Sequence, residues 1–177
     1  MKDILYIDLM RYFVNYYDKE HKLLQANETD SEDKLDLFIS FKNAYMRVGR
    51  NFKNGKDEEI LKAVLDFKGN SVKELSEYFK SEDFLSRNNE NALSAASKFL
   101  WLRKRDTIIM DGNNMKALKI WNYDYDLYCK KWRDKYEKYR EQIIEITDKY
   151  SLETIDPIFG EEWFRMRVFD QFLWSLS

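Results

Sequence analysis

The sequence predicts an all-α fold, a single globular domain of about seven or eight helices. Three observations carry that expectation. Apolar residues recur at three- and four-residue spacing along most of the 177-residue chain. Only five glycines and the single Pro157 are present, too few for the turns of a many-hairpin β fold. Charged residues make up 35%, and most are compatible with helices. At 44% hydrophobic and 16% aromatic, the chain has ample material for a packed core.

In chain order, residues 3 to 24 set Leu5, Leu9, Tyr12, Phe13 and Tyr16 at helical spacing. The polar segment QANETDSED, residues 25 to 33, is turn-forming, with Asp30 or Ser31 as the expected cap of the second helix. That helix should run from about 32 to 53, with Leu35, Phe38, Tyr45, Val48 and Phe52 along one side, until KNGK breaks it. A shorter helix is expected over 57 to 67, with Leu61, Val64 and Leu65 inward. KGNSVKEL then reads as a glycine stop and a fresh cap at Asn70 or Ser71, opening a helix over 72 to 80 through Val72, Leu75 and Phe79.

SEDFLSRNNEN reads as a loop, and 89 to 103 as the helix after it. RKRD, residues 103 to 106, ends that helix, and TIIM, residues 107 to 110, is a buried extended connector. Met115, Leu118 and Trp121 then share helical spacing behind Asp111. The clearest helix covers 123 to 150, where Tyr125, Tyr128, Trp132, Tyr136, Ile143, Ile146 and Tyr150 recur among charged residues. Such a stripe could stack bases, but one core-facing side of an amphipathic helix is the simpler reading. SLETIDP breaks the chain before a closing amphipathic helix described by Trp163, Met166, Phe169, Leu173 and Leu176.

Composition narrows the function classes. With 30 basic and 32 acidic residues the net charge is −2, so a nucleic-acid partner requires basic residues gathered on one face. The stretch CKKWRDKYEKYR alternates basic and aromatic residues, but Asp134 and Glu137 dilute it, and a solvated face is the expectation. One cysteine, Cys129, and one histidine exclude an internal disulfide and any Cys- or His-rich metal centre, and no metal or other cofactor is expected. Asp3, Asp8 and Arg11 interrupt the first apolar segment, so no leader or membrane span is expected and the default location is cytoplasmic.

The most informative stretch is SAASKFLWLRKRDTIIMDGNNMKAL, residues 94 to 118. Lys98 shares its helix face with Ser94, Ala95, Trp101 and Leu102 and has no carboxylate among them. Its methylenes should cover apolar surface while the ammonium reaches water. The competing reading is a desolvated amine, which burial biases toward the neutral, nucleophilic form. Asp111 precedes a helix and is a good N-cap, which also fixes a carboxylate of the kind that acid–base chemistry uses.

In the order SK-F-L-W-L followed by I-I-M-D-G-N-N-M-K-A-L, this segment resembles the lysine-to-aspartate portion of helix-hairpin-helix DNA glycosylases. It looks most like compact bacterial proteins with an 8-oxoguanine DNA glycosylase fold. The resemblance covers about 25 residues and is supported more weakly by the closing RVFDQFLWSL. It implies a DNA-glycosylase-like arrangement of helices and a DNA-repair hydrolase that flips out a damaged or modified base. Lys98 would attack the sugar, Asp111 would stabilise charge and assist proton transfer, and an imine could permit strand cleavage at the abasic site. Arg103, Lys104, Arg105 and Lys116 would meet DNA phosphates. The alternative is a non-catalytic helical protein that binds a protein partner in bacterial defence or phage counter-defence. It is favoured by the near-neutral charge and by NENALSAAS, which has no glycine where the family's hairpin carries two.

Overall fold

The computed structural model describes residues 2–29, 31–86, 92–151 and 156–177. The expected cap Asp30, the helix start at 89 and most of the 151–157 break lie outside the described residues. The fold is all-α: the described residues contain no strand, only an isolated antiparallel bridge between Phe52 and Leu85. Nine α-helices are described, and they group into two compact units. One comprises residues 1–14 with 110–177, and the other residues 15–109.

The first unit contains α1 (Lys2–Asn15), α7 (Gly112–Ala117), α8 (Tyr125–Ser151) and α9 (Glu162–Ser175), with a 3₁₀ turn at Pro157–Gly160. Leu5, Leu9 and Tyr12 of α1 are buried, as their spacing predicts. Tyr12 and Phe13 meet Phe164 and Phe159 at ring distances of 5.0 and 4.7 Å. Helix α8 buries Tyr128, Trp132, Tyr136 and Ile143, so the aromatic stripe is a core face. Trp132 stacks on Tyr136 at 5.0 Å and meets Phe169 of α9 edge-on at 5.0 Å. Two residues of these periodic sets are not buried with the rest: Trp121 is 79% exposed and Leu176 is 46% exposed. Trp121 is exposed because α7 stops at Ala117, before the helical register reaches it.

The second unit begins in a wide π turn, Tyr16–His21, followed by α2 (Lys22–Glu28). Helix α3 (Lys34–Ser40) has Asp33 at its N-cap position without a side-chain bond; Ser31 lies two residues earlier, where its Oγ accepts the Asp33 N–H at 3.4 Å. The helix expected over 32 to 53 is shorter than its periodicity. It widens into a π turn at Phe41–Tyr45, and Arg47 adopts φ 54°. The chain then folds back over its own turn. A Cβ at Gly49 would lie 1.9 Å from Asn43 Oδ1, so a larger residue there would require the Asn43 side chain to turn away.

Helices α4 (Asp57–Asp66) and α5 (Val72–Ser81) match their expected spans closely. A capping box starts α5: Ser71 Oγ accepts the Glu74 N–H, and the Glu74 carboxylate accepts the Ser71 N–H. Helix α6 (Leu93–Trp101) is buried along almost its whole length, Ser94 being half-exposed.

Phe99 of α6 is the centre of this unit's core. Its ring lies 5.3 Å from Phe38, 5.7 Å from Phe52 and 5.9 Å from Phe79, and all four side chains are at most 3% exposed. Tilted and edge-on geometry places ring edges against ring faces, which aromatic quadrupoles favour. Phe99→Ala should leave a cavity shared by elements far apart in sequence and cost about 3–5 kcal/mol, read as a lowered urea midpoint.

Candidate functional site

Lys98 lies in the last turn of α6, beside the buried Ala95, Ala96 and Ser97. Small side chains let neighbouring backbone approach, and the lysine is only 5% exposed. Its ammonium therefore does not snorkel to water, which corrects the expectation from sequence. Instead Nζ donates to the Met46 carbonyl at 3.3 Å and to Ser94 Oγ at 3.3 Å. The Met46 carbonyl follows the π turn that ends at Tyr45, so the premature end of that helix creates the acceptor. Lys42, in the same turn, is a second buried lysine, and Asp57 Oδ1 lies 2.6 Å from its ammonium.

Asp111 caps α7 as its position predicts. Its Oδ1 accepts the Asn113 N–H at 2.9 Å and the Trp174 indole N–H at 2.9 Å. It is half-buried and belongs to the first unit, whereas Lys98 belongs to the second.

The four basic candidates have separate local roles. Arg103 donates to the carbonyls of Val64 and Phe67, at the C-terminal end of α4, where helical carbonyls lack internal partners. Arg105 stacks over the Trp101 ring at 4.4 Å to its centroid. Lys104 is exposed in the same turn, so the structure brings Arg103, Lys104 and Arg105 together at the end of α6. Lys116 is exposed on α7 in the first unit.

Reasoning from sequence missed the buried polar centre of the first unit. Asp170, on α9, is 3% exposed, and its Oδ1 accepts the Trp132 indole N–H at 2.8 Å and the Asn114 amide at 3.1 Å. Its Oδ2 accepts the Arg167 guanidinium at 2.6 Å. Arg167 also lies over the Tyr12 ring, 5.1 Å from its centroid. Burial pushes the Asp170 carboxyl up to about 6, against the opposing pull of Arg167 and the Trp132 hydrogen bond. A charged pair three residues apart, Arg167 and Asp170, interleaved with Val168, Phe169, Phe172 and Leu173, was the available signal. A second polar link joins α1 to α9: Ser175 Oγ donates to the buried Asp8 at 2.8 Å.

Among the described residues, no group of three or more His, Cys, Asp or Glu side chains could hold a metal ion. Nor is any described helix long and apolar enough to cross a membrane. Comparison with protein-family models, curated proteins and solved structures returns no match.

Two outcomes test these assignments. Asp111→Ala should cost about 1–2 kcal/mol in urea unfolding, whereas Asp111→Asn keeps an oxygen acceptor and should cost less. Because burial raises the Asp170 carboxyl from 3.8 to about 6, the folded chain binds a proton more readily there than the unfolded chain. Wild-type stability measured against Asp170→Asn should therefore fall as pH rises from about 4 to about 6, then level off.

Proposed function

We propose that the chain is a DNA-glycosylase-like protein whose reactive group is the Lys98 amine. The burial of Lys98 among small side chains, with its amine donating to the Met46 carbonyl and the Ser94 hydroxyl, supports this reading. A nucleophilic amine needs an environment poor in water, and a lysine extended into solvent would lack one. In the proposed step, Lys98 Nζ forms a bond to the sugar anomeric carbon of an extruded nucleotide while the bond to the base breaks. The departing base takes the bonding electrons and acquires a proton, and the lysine nitrogen releases one. The resemblance assigns the acid–base role to Asp111, whose carboxylate is oriented by the Asn113 N–H and Trp174 indole bonds. Arg103, Lys104 and Arg105 would then neutralise phosphates.

A second reading is a non-catalytic binding module of bacterial defence or phage counter-defence. It is favoured by the tasks that the same side chains already perform. Lys98 satisfies the Met46 carbonyl, Arg103 ends α4, and Asp111 caps α7.

Borohydride trapping on oligonucleotides carrying uracil, 8-oxoguanine, alkylated bases or an abasic site separates the two. The glycosylase reading expects a covalent adduct that Lys98→Ala abolishes while circular dichroism remains unchanged. Neither an adduct nor base release across that panel would leave the binding module.

A further inference from the structure

The connector from α7 to α8 presents the first unit's most unusual surface. Helix α7 ends in a Schellman turn: the Lys119 N–H bonds to the Lys116 carbonyl at 2.9 Å, and the Ile120 N–H to the Met115 carbonyl at 2.9 Å. Lys119 supplies the left-handed residue of that turn, at φ 55°, a position where glycine is usual. Ile120 turns inward at 3% exposure, and the next side chain, Trp121, projects outward at 79%. Tyr123 is exposed at 58%. No described large hydrophobic side chain is more exposed than Trp121.

The far end of the connector is equally fixed. Asp124 Oδ1 accepts the Asp126 and Leu127 N–H groups at 3.0 and 3.1 Å, which starts α8. Anchored between a buried isoleucine and a helix cap, the two aromatic rings are presented with limited loop freedom. Rings held in this way lose less entropy on binding than rings on a free loop.

Cations gather beside them. Lys131 and Lys135 of α8 donate to the carbonyls of Lys119 and Ala117, each at 3.3 Å. Burial, and then the neighbouring charges of Lys119 and Lys138, hold the Lys135 ammonium below its ordinary range. Lys131, Lys135 and Lys138 share one side of α8 by their four- and three-residue spacing. Four acids lie nearby in sequence: Asp124 caps α8, Asp126 is exposed in its first turn, and Asp134 and Glu137 are exposed among the lysines. In a chain of net charge −2, Lys135 lies within reach of the charges of Lys119 and Lys138, and Lys131 bonds to the connector that carries the two exposed rings, a local surface that favours an anionic, aromatic ligand.

We propose that this ledge binds single-stranded nucleic acid, with Trp121 and Tyr123 stacking on bases and Lys119, Lys131, Lys135 and Lys138 facing phosphates. Single strands fit the chemistry better than duplex, because their bases offer free faces to the rings. The inference is independent of the Lys98 reading, since every residue it uses lies in the first unit.

Fluorescence anisotropy with a labelled mixed-sequence strand of about a dozen nucleotides is the test. Binding should weaken steeply as salt rises, and intrinsic tryptophan emission should be quenched. Trp121→Ala with Tyr123→Ala should weaken binding about ten-fold or more at unchanged circular dichroism. Lys138→Gln should weaken it less and flatten the salt dependence. Lys98→Ala should bind the strand as wild type does, so a failed trapping experiment and a failed ledge give distinguishable results. Salt-insensitive or absent binding, or full affinity in the double aromatic variant, would overturn the proposal. Preference for poly-glutamate or phosphatidylserine vesicles over the oligonucleotide would overturn it equally.

Discussion

One buried carboxylate organises the first unit. Asp170 accepts hydrogen bonds from Asn114 of α7, Trp132 of α8 and Arg167 of its own helix, so three elements meet on two oxygen atoms. A carboxylate almost removed from water is costly unless its oxygens are filled, and here the filling is shared between helices. Each donor must reach the same two oxygen atoms, so the network fixes the register of α7 and α8 against α9 more narrowly than apolar contact alone. Asp111 and the α7–α8 connector inherit that register, because both flank the short helix that carries Asn114.

In the second unit the comparable constraint is aromatic. Phe99 draws Phe38, Phe52 and Phe79 around it, and this packing seats α6 so deeply that the preceding residue, Lys98, cannot reach water. The burial of Lys98 is thus a consequence of how its neighbour packs. Its acceptor comes from the abrupt end of the π turn near Met46, where Arg47 takes a left-handed conformation. A catalytic and a supporting role for this amine share the same geometry and differ in whether a substrate carbon can approach it.

Helix positions were largely legible from spacing, and the reasons are local. Ser71 and Glu74 lie three residues apart and close a capping box, and Asp111 caps α7, both through bonds made within one turn. The stripe of α8 was legible because 3.6-residue periodicity reports which side is covered. Periodicity failed at Trp121 because it assumes that the helix continues, whereas α7 ends four residues earlier. It also overran the helix expected to reach 53, which widens into a π turn at Phe41–Tyr45 and ends before the left-handed Arg47.

By itself the sequence determined the all-α class, most helix starts and the core-facing side of the longest helix, because each depends on residues within a few positions of one another. Only the tertiary structure decided that Lys98 leaves water, that Asp170 gathers donors from three helices, and that Trp121 points outward. Each of those outcomes depends on partners dozens of residues away, or on where a neighbouring element stops. Burial and charge pairing are set by that assembly, and no spacing rule along the chain contains it.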